Sequence, residues 1–297
     1  MLRIGTRGSQ LALWQAHFLQ AQLLNIGQQS ELVIIKTQGD LVQNLSFEKL
    51  EGKGFFTKEI EDALLRGDID MAVHSMKDLP TSQPEGLAVT AVSYRENPAD
   101  WLLIRPEAFV PDAPLRLCEG AIVGTSAARR KALARSFRPD LSLLDIRGNV
   151  PTRIEKLRRG DFDAIFLAGA GLTRLQLDLS GLEILELSPR EFVPAPAQGV
   201  LAYQVVASDV RVRRILRDIH QPDVSAVTNV ERRVLQGLGG GCHMPLGVYC
   251  ERDSTGFYHV WATCADTWDA TLRRVRLSSS THFGLADEVL AKLKTTK

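Results

Sequence analysis

The stretch Ala72-Val73-His74-Ser75-Met76-Lys77-Asp78-Leu79-Pro80-Thr81 decides the fold. The apolar residues from Ile69 to Val73 read as a strand, and Leu79-Pro80 forces an extended exit, because the residue before a proline is steered away from helix. Ser75, Lys77 and Asp78 are therefore expected at the edge of a sheet, where open α/β sheets bind their ligands. A solvated turn would account for the same polar residues. For Asp78 the plain alternative is a salt bridge with Lys77, although neighbouring side chains of an extended segment point apart.

Outward from this block, strand and helix signals alternate. Leu2 to Gly5 reads as a strand, Ser9 as an N-cap, and Leu11, Trp14, Phe18 and Ala21 follow at helical spacing. Leu32 to Lys36 is a second strand, Phe55 to Arg66 a helix stopped by Gly67, and Leu87 to Ser93 a further strand. Gln38 to Gly54 is polar and weakly periodic, as a long functional loop would be. From about Ala99 the pattern restarts, with strands at Ala121 to Gly124, Leu141 to Leu144 and Ala164 to Leu167. A helix capped by Thr125 or Ser126 and another over Val150 to Arg159 separate them. The proline-rich piece Val193 to Gly199 crosses into a strand, Val200 to Val206, expected to return to the first unit. Helices near Val210 to His220 and Val224 to Leu238 follow. The chain then ends in three alternating segments, Leu246 to Cys250, Tyr258 to Cys264 and Thr271 to Leu277, and a helix from His282 to Leu293. That end reads as an antiparallel sheet with a helix packed on it.

The totals exclude several classes. At 297 residues, 44% hydrophobic and 24% charged, the chain is neither disordered nor fibrous. Its 36 basic and 35 acidic residues leave a formal charge of +1, with no global field to draw in nucleic acid or an anionic membrane. Anion sites must come from local clustering. The four cysteines show no zinc-type spacing and fit a reducing cytosol. The start runs straight into a strand and no segment approaches membrane-spanning length, so neither export nor membrane insertion is expected. No glycine loop ending in Gly-Lys-Ser/Thr is present, which weighs against phosphate transfer.

The clustered basic residues give the chemistry. Arg7 precedes the Ser9 cap, so its guanidinium and the free amides of that helix start can hold one carboxylate. Arg129 and Arg130 follow Thr125-Ser126 in the first turn of a helix, where cations oppose the helix dipole, so an anion-binding role explains them better than helix formation. Arg147 opens Arg-Gly-Asn at a strand end, and Arg153 lies a turn and a half later. Arg174, read alone, is an exposed helical arginine. Cys242 sits in Gly239-Gly240-Gly241-Cys242-His243-Met244-Pro245. A thiolate there would be a strong nucleophile, while a glycine-flanked cysteine is more often inert. Cys118, Cys250 and Cys264 read as small apolar residues in or beside strands.

Thr6-Arg7-Gly8-Ser9, the block from His74 to Pro80, Gly124-Thr125-Ser126 with Arg129-Arg130, Arg147-Gly148-Asn149 and Gly240-Gly241-Cys242 together resemble the porphobilinogen deaminase (hydroxymethylbilane synthase) family. The resemblance runs in order over nearly the whole chain. It implies an α/β fold of two periplasmic-binding-protein-like lobes around a cleft, plus a C-terminal α+β domain with a three-stranded antiparallel sheet. The first lobe would comprise residues 1–97 and 194–216, the second 98–193, and the cofactor-bearing domain 217–297. The implied reaction condenses four porphobilinogens head to tail into hydroxymethylbilane with release of ammonia. Asp78 would be the catalytic carboxylate, and Cys242 would hold a dipyrromethane cofactor through a thioether. Arg7, Ser9, Lys53, Ser75, Lys77, Thr125, Ser126, Arg129, Arg130, Arg147, Arg153 and Arg174 would bind the carboxylates of cofactor and substrate, with Gln198 and Gly199 at a hinge. A cytoplasmic monomer without a metal, nucleic-acid or membrane partner completes the implication. Three positions depart from the family's usual pattern: Ala127 for a second serine, Ala197 for a glycine, and His243 for a glutamine. The rival reading is a two-lobed, non-enzymatic binding protein for an acidic small molecule. It shares the arginines but has no need for Cys242.

Overall fold

A computed structural model describes residues 1–37, 57–241 and 244–295. Lys53, the segment from Gln38 to Gly54, Cys242 and His243 lie outside the described residues. By contacts the chain forms two compact units, Met1–Glu96 with Gly199–Ala226, and Asn97–Gln198 with Val227–Lys297.

The first unit begins with β1 (Leu2–Thr6), α1 (Gln10–Asn25) and β2 (Ser30–Ile34). Ser9 caps α1 as its composition demands, its hydroxyl accepting from the Ala12 amide at 3.3 Å. Next come α2 (Lys58–Arg66), stopped by Gly67 in the left-handed region at φ 75°, β3 (Met71–Ser75) and β4 (Leu87–Val92). The second unit contributes β5 (Asp100–Ile104), β6 (Ile122–Gly124), α3 (Ala128–Phe137), β7 (Ser142–Leu144) and α4 (Val150–Arg159). It continues with β8 (Ala164–Ala168), α5 (Gly169–Leu175) and β9 (Glu183–Glu186). The chain then returns to the first unit with β10 (Leu201–Val206) and α6 (Val210–Arg217), and passes through α7 (Pro222–Gly237). Strands β11 (Leu246–Arg252), β12 (Tyr258–Cys264) and β13 (Arg273–Ser279) and helix α8 (Leu285–Thr295) complete it.

The two large sheets have the same plan. The first is ordered β2-β1-β3-β10-β4 and the second β7-β6-β8-β5-β9. In each, three parallel strands are followed by one antiparallel strand, β10 or β5, and an outer strand that pairs antiparallel with it. This repeated plan gives two lobes of the periplasmic-binding-protein kind, and β11-β12-β13 form a separate three-stranded antiparallel sheet. Each large sheet has its own apolar core. Ile4, Leu19, Met71 and Tyr203 fill one, and Leu102, Val123, Leu133 and Phe166 fill the other, all almost fully buried.

The structure corrects several readings. Strands β5 and β9 were not anticipated, although Trp101-Leu102-Leu103-Ile104 between Pro98 and Pro106 is a short continuous apolar run of the kind that buries as a strand. The third strand is shifted two residues toward the carboxyl end of the chain. Met76–Asp78 form a 3-10 turn rather than an extended exit, and the extended backbone starts only at Leu79. Helix α3 is not capped by Thr125 or Ser126. Its N-cap is Ala127, which has no side-chain acceptor to offer.

Candidate functional site

In the first unit, parallel pairing of β1 with β3, Ile4 opposite Met71 and Gly5 opposite Ala72, carries both strands to one carboxyl edge. Arg7 leaves β1 there and Ser75 ends β3 there. Ser75 is fixed by Gln15, whose amide donates to its hydroxyl at 2.8 Å. The 3-10 turn is tied down by the Met76 amide, which donates to the Val200 carbonyl at 2.9 Å. Lys77 is half-buried and Asp78 exposed. The Asp78 carboxylate forms no ion pair with Lys77 or with any other described residue, so the salt-bridge alternative does not hold. Behind this edge lies a buried polar network that sequence reasoning missed. Glu61 accepts from the Gln204 amide at 3.1 Å, and Gln204 faces the ring of His74, Nε2 to Oε1, at 3.0 Å. A carboxylate only accepts, so the Gln204 amide group points to Glu61 and its oxygen to His74, which must donate from Nε2. Burial, reinforced by the nearby Arg7 guanidinium, pulls the His74 pKa down to about 4. The ring is thus neutral in ordinary buffers.

The second unit gathers cations. Asp100, the first residue of β5, is fully buried and accepts from Arg129 Nη1 at 2.6 Å, from Arg130 Nη2 at 2.7 Å and Nε at 3.1 Å, and from Gln198 Nε2 at 3.0 Å. Burial alone would raise its pKa, but Arg129 and Arg130 more than offset that and hold it well below the usual carboxylate range. The two arginines also donate to main-chain carbonyls, Arg129 to Val193 and Arg130 to Phe166. Asp100 is therefore the reason these cations tolerate the first turn of a helix. The signal was there to find: an aspartate at the start of an apolar strand needs buried partners.

Thr125 and Ser126 shape the same region. Thr125 Oγ1 accepts from the Ala127 amide at 3.3 Å, while Ser126 Oγ bonds both the carbonyl and the amide of Ile146, at 2.8 and 3.1 Å. That clasp sets Arg147 beside the start of α3. Gly148, at φ 110°, turns the chain into α4, and a Cβ there would come within 2.8 Å of Thr152. Asn149 then caps α4, accepting from the Thr152 amide at 3.0 Å. Arg153 donates to the Gly148 carbonyl at 2.8 Å, and its pKa is pushed down to about 10 by burial together with Arg130 and Arg147. Cations lower one another's proton affinity when too little negative charge lies among them. Arg174 is buried in the last turn of α5, at 6% exposure, and not the exposed helical residue that its sequence alone suggested.

The crossings are pinned at both ends. In the second unit Gln198 donates to the Pro98 carbonyl at 2.8 Å as well as to Asp100. In the first, Gly199 adopts φ 92° so close to Glu96 that a Cβ would meet its carbonyl oxygen at 2.3 Å. Ala197 adopts φ 61°, a conformation that suits glycine, and its amide donates at 2.6 Å to Glu231 of α7, which is fully buried. Glu231 also accepts from the Cys250 amide on β11 at 2.7 Å. No group of three or more metal-ligating side chains occurs among the described residues, and none of their helices is long and apolar enough to cross a membrane.

In the first unit one sheet edge gathers Arg7, Ser75, Lys77 and Asp78, and in the second Arg129, Arg130, Arg147 and Arg153 lie near one another; each set by itself suits carboxylate groups of a ligand. Comparison with known proteins agrees. The family model described as "Porphobilinogen deaminase, dipyromethane cofactor binding domain" matches residues 2–214. The porphobilinogen deaminase of Maridesulfovibrio salexigens is 43% identical, covering 98% of this chain and 94% of that one. The porphobilinogen deaminase of Sulfurimonas denitrificans is 43% identical, covering 83% of this chain and 78% of its own. Among solved structures, the periplasmic VFT2 domain of Bordetella pertussis BvgS aligns with a TM-score of 0.44 at 14% identity, covering 77% of this chain and 92% of that one.

Proposed function

The chain belongs to the porphobilinogen deaminase family, and on that premise we propose how its residues divide the work of joining four porphobilinogens head to tail into hydroxymethylbilane with loss of ammonia. The rival reading, a non-enzymatic binding protein, gives way to this one. The observation that carries the division is the gathering of guanidiniums in the second unit, where Asp100 places Arg129 and Arg130, and where burial first and then Arg130 and Arg147 lower the pKa of Arg153. Each pyrrole of the substrate class brings an acetate and a propionate. A charge-assisted hydrogen bond to a carboxylate contributes about 1.5 to 3 kcal/mol, and planar guanidinium forks pair such groups two bonds at a time.

The same residues fit a dipyrromethane, with its four carboxylates. Arg129, Arg130, Arg147, Arg153 and Arg174, with Thr125 and the uncapped amides at the start of α3, would hold it. When bound, the group supplies the pyrrole to which the first substrate ring is joined. Its attachment point is Cys242, which follows Gly239-Gly240-Gly241 in the sequence. In the first unit, Arg7, Ser9, Ser75 and Lys77 bind substrate carboxylates, and Lys53 belongs with them by its sequence. Asp78 accepts the pyrrole N–H and stabilises the positive charge that develops as the substrate's amino group departs as ammonia. Among the described residues it has no competing partner, which leaves its charge for that task. Gln198 and Gly199 are the hinge of this scheme, and residues 217–297 its cofactor-bearing domain. A cytoplasmic monomer suits the near-balanced charge and the few cysteines.

Intact mass tests the attachment. The purified protein is expected to be heavier than its sequence by two porphobilinogen units less the ammonia lost in attaching them, and Cys242→Ser to lack the increment. Active protein at the bare sequence mass, or an increment mapped to Cys118, Cys250 or Cys264, would overturn it.

A further inference from the structure

Arginines also cluster in the first unit, in a place the reaction does not use. Helix α6 and the outer strand β4 enclose an open pocket of about 520 Å³ lined by Ala88, Val89, Thr90, Val210, Arg213, Arg214 and Arg217. The three arginines that line it are exposed to solvent. Arg213 is braced by a bond to the Ala207 carbonyl at 2.9 Å, while Arg214 and Arg217, one turn apart, have no hydrogen-bond or ion-pair partner among the described residues. Asp209 caps α6 by accepting from the Val212 amide, Asp70 serves Arg3 and Arg211, and Asp218 pairs with none of the three arginines. Thr90 adds a hydroxyl whose oxygen has no hydrogen-bond partner.

The bland account of the cluster is that cations in the last turn of a helix suit its dipole. That explains Arg214 and Arg217 one at a time. It does not explain why three guanidiniums line one pocket with a hydroxyl and no counterion. In a chain of near-zero net charge, such a concentration makes a local site for anions.

We propose that this pocket is a second anion site, distinct from the arginines of the second unit, which takes a compact ligand bearing two or more phosphate or carboxylate groups. Two guanidinium forks spaced one helical turn apart select for two oxyanion groups on one molecule, and Arg213 and Thr90 add further donors. The site stands or falls independently of the division of catalytic work proposed above.

Titration calorimetry of the full, cofactor-bearing protein with pyrophosphate and with citrate tests it. At least one probe is expected to bind saturably. The double variant Arg214→Gln/Arg217→Gln should weaken that binding about tenfold or more, with porphobilinogen turnover unchanged. Thr90→Val should weaken it by a smaller factor. Tighter binding of pyrophosphate assigns the site to phosphate compounds and tighter binding of citrate to polycarboxylates, and either result supports the proposal. Absence of saturable binding, equal affinity in the double variant, or loss of binding on Arg153→Gln instead would overturn it.

Discussion

Asp78 in the first unit stands exposed on a 3-10 turn with no ion-pair partner among the described residues, whereas Asp100 in the second is fully buried and accepts four bonds from Arg129, Arg130 and Gln198. Both are aspartates near the ends of strands, and only their surroundings separate them. A carboxylate with all its acceptor positions filled cannot answer a charge that appears during a reaction. One with none filled can, but contributes little to holding the fold. Asp78 thus keeps its negative charge available, whereas Asp100 uses its own in placing cations.

Asp100→Ala should have the largest effect. It leaves two buried guanidiniums without their shared counterion, and breaking such a pair costs about 3 to 5 kcal/mol. Chemical denaturation would measure it. A loss below about 1 kcal/mol would mean that water or backbone carbonyls already satisfy Arg129 and Arg130, and that the contrast with Asp78 is overdrawn.

Asp78→Asn should be the mirror image, with stability within about 0.5 kcal/mol of wild type and turnover reduced on the order of 10²- to 10³-fold. The substitution keeps size and polarity and removes only the charge. Single-turnover ammonia release reads the step directly, and wild-type release would transfer the role to another group.

His74 sharpens the comparison from the first unit's interior, where it is the neutral ring of a buried polar network with Gln204 and Glu61. Its pKa of about 4 lies below the ordinary 6.5, so the folded state binds fewer protons than the unfolded state between those values. The contribution is fully present above pH 6.5 and is lost as pH falls toward 4. A gap of this size corresponds to about 3 kcal/mol. His74→Gln, which can still bond Gln204, should flatten that part of the stability profile. An unchanged profile would mean the acid sensitivity originates elsewhere.

The smallest effect is expected at Ala197. Relief of its left-handed backbone is worth about 1 to 2 kcal/mol, and the added freedom of glycine in the unfolded chain returns about 0.4 to 1. Ala197→Gly should therefore gain between about 0 and about 1.6 kcal/mol. A loss on denaturation would show that packing of this fully buried methyl outweighs the strain.

Much of this was legible in the sequence because it rests on local physics. Ser9 caps α1, Gly67 stops α2, Val150–Arg159 is a helix over its anticipated span, and Tyr258–Cys264 a strand over its own. Short-range sterics, helix-end hydrogen bonding and apolar periodicity determine each of these within a few residues. The ordered motifs likewise marked the family, since they carry the reaction's chemistry in residue types.

What only the tertiary structure decided depends on partners distant along the chain. Arg129 and Arg130 looked like surplus cations because Asp100 lies 29 and 30 residues away, at the start of a strand that was not foreseen. Glu231 lies within a helix, and the fold brings it the amides of Ala197 and Cys250, 34 and 19 residues away. Thr125 and Ser126 read as caps, yet the sheet places Ile146 where Ser126 bonds it instead. A buried polar group must find its partner wherever the chain passes, and the sequence names the group without naming the neighbour.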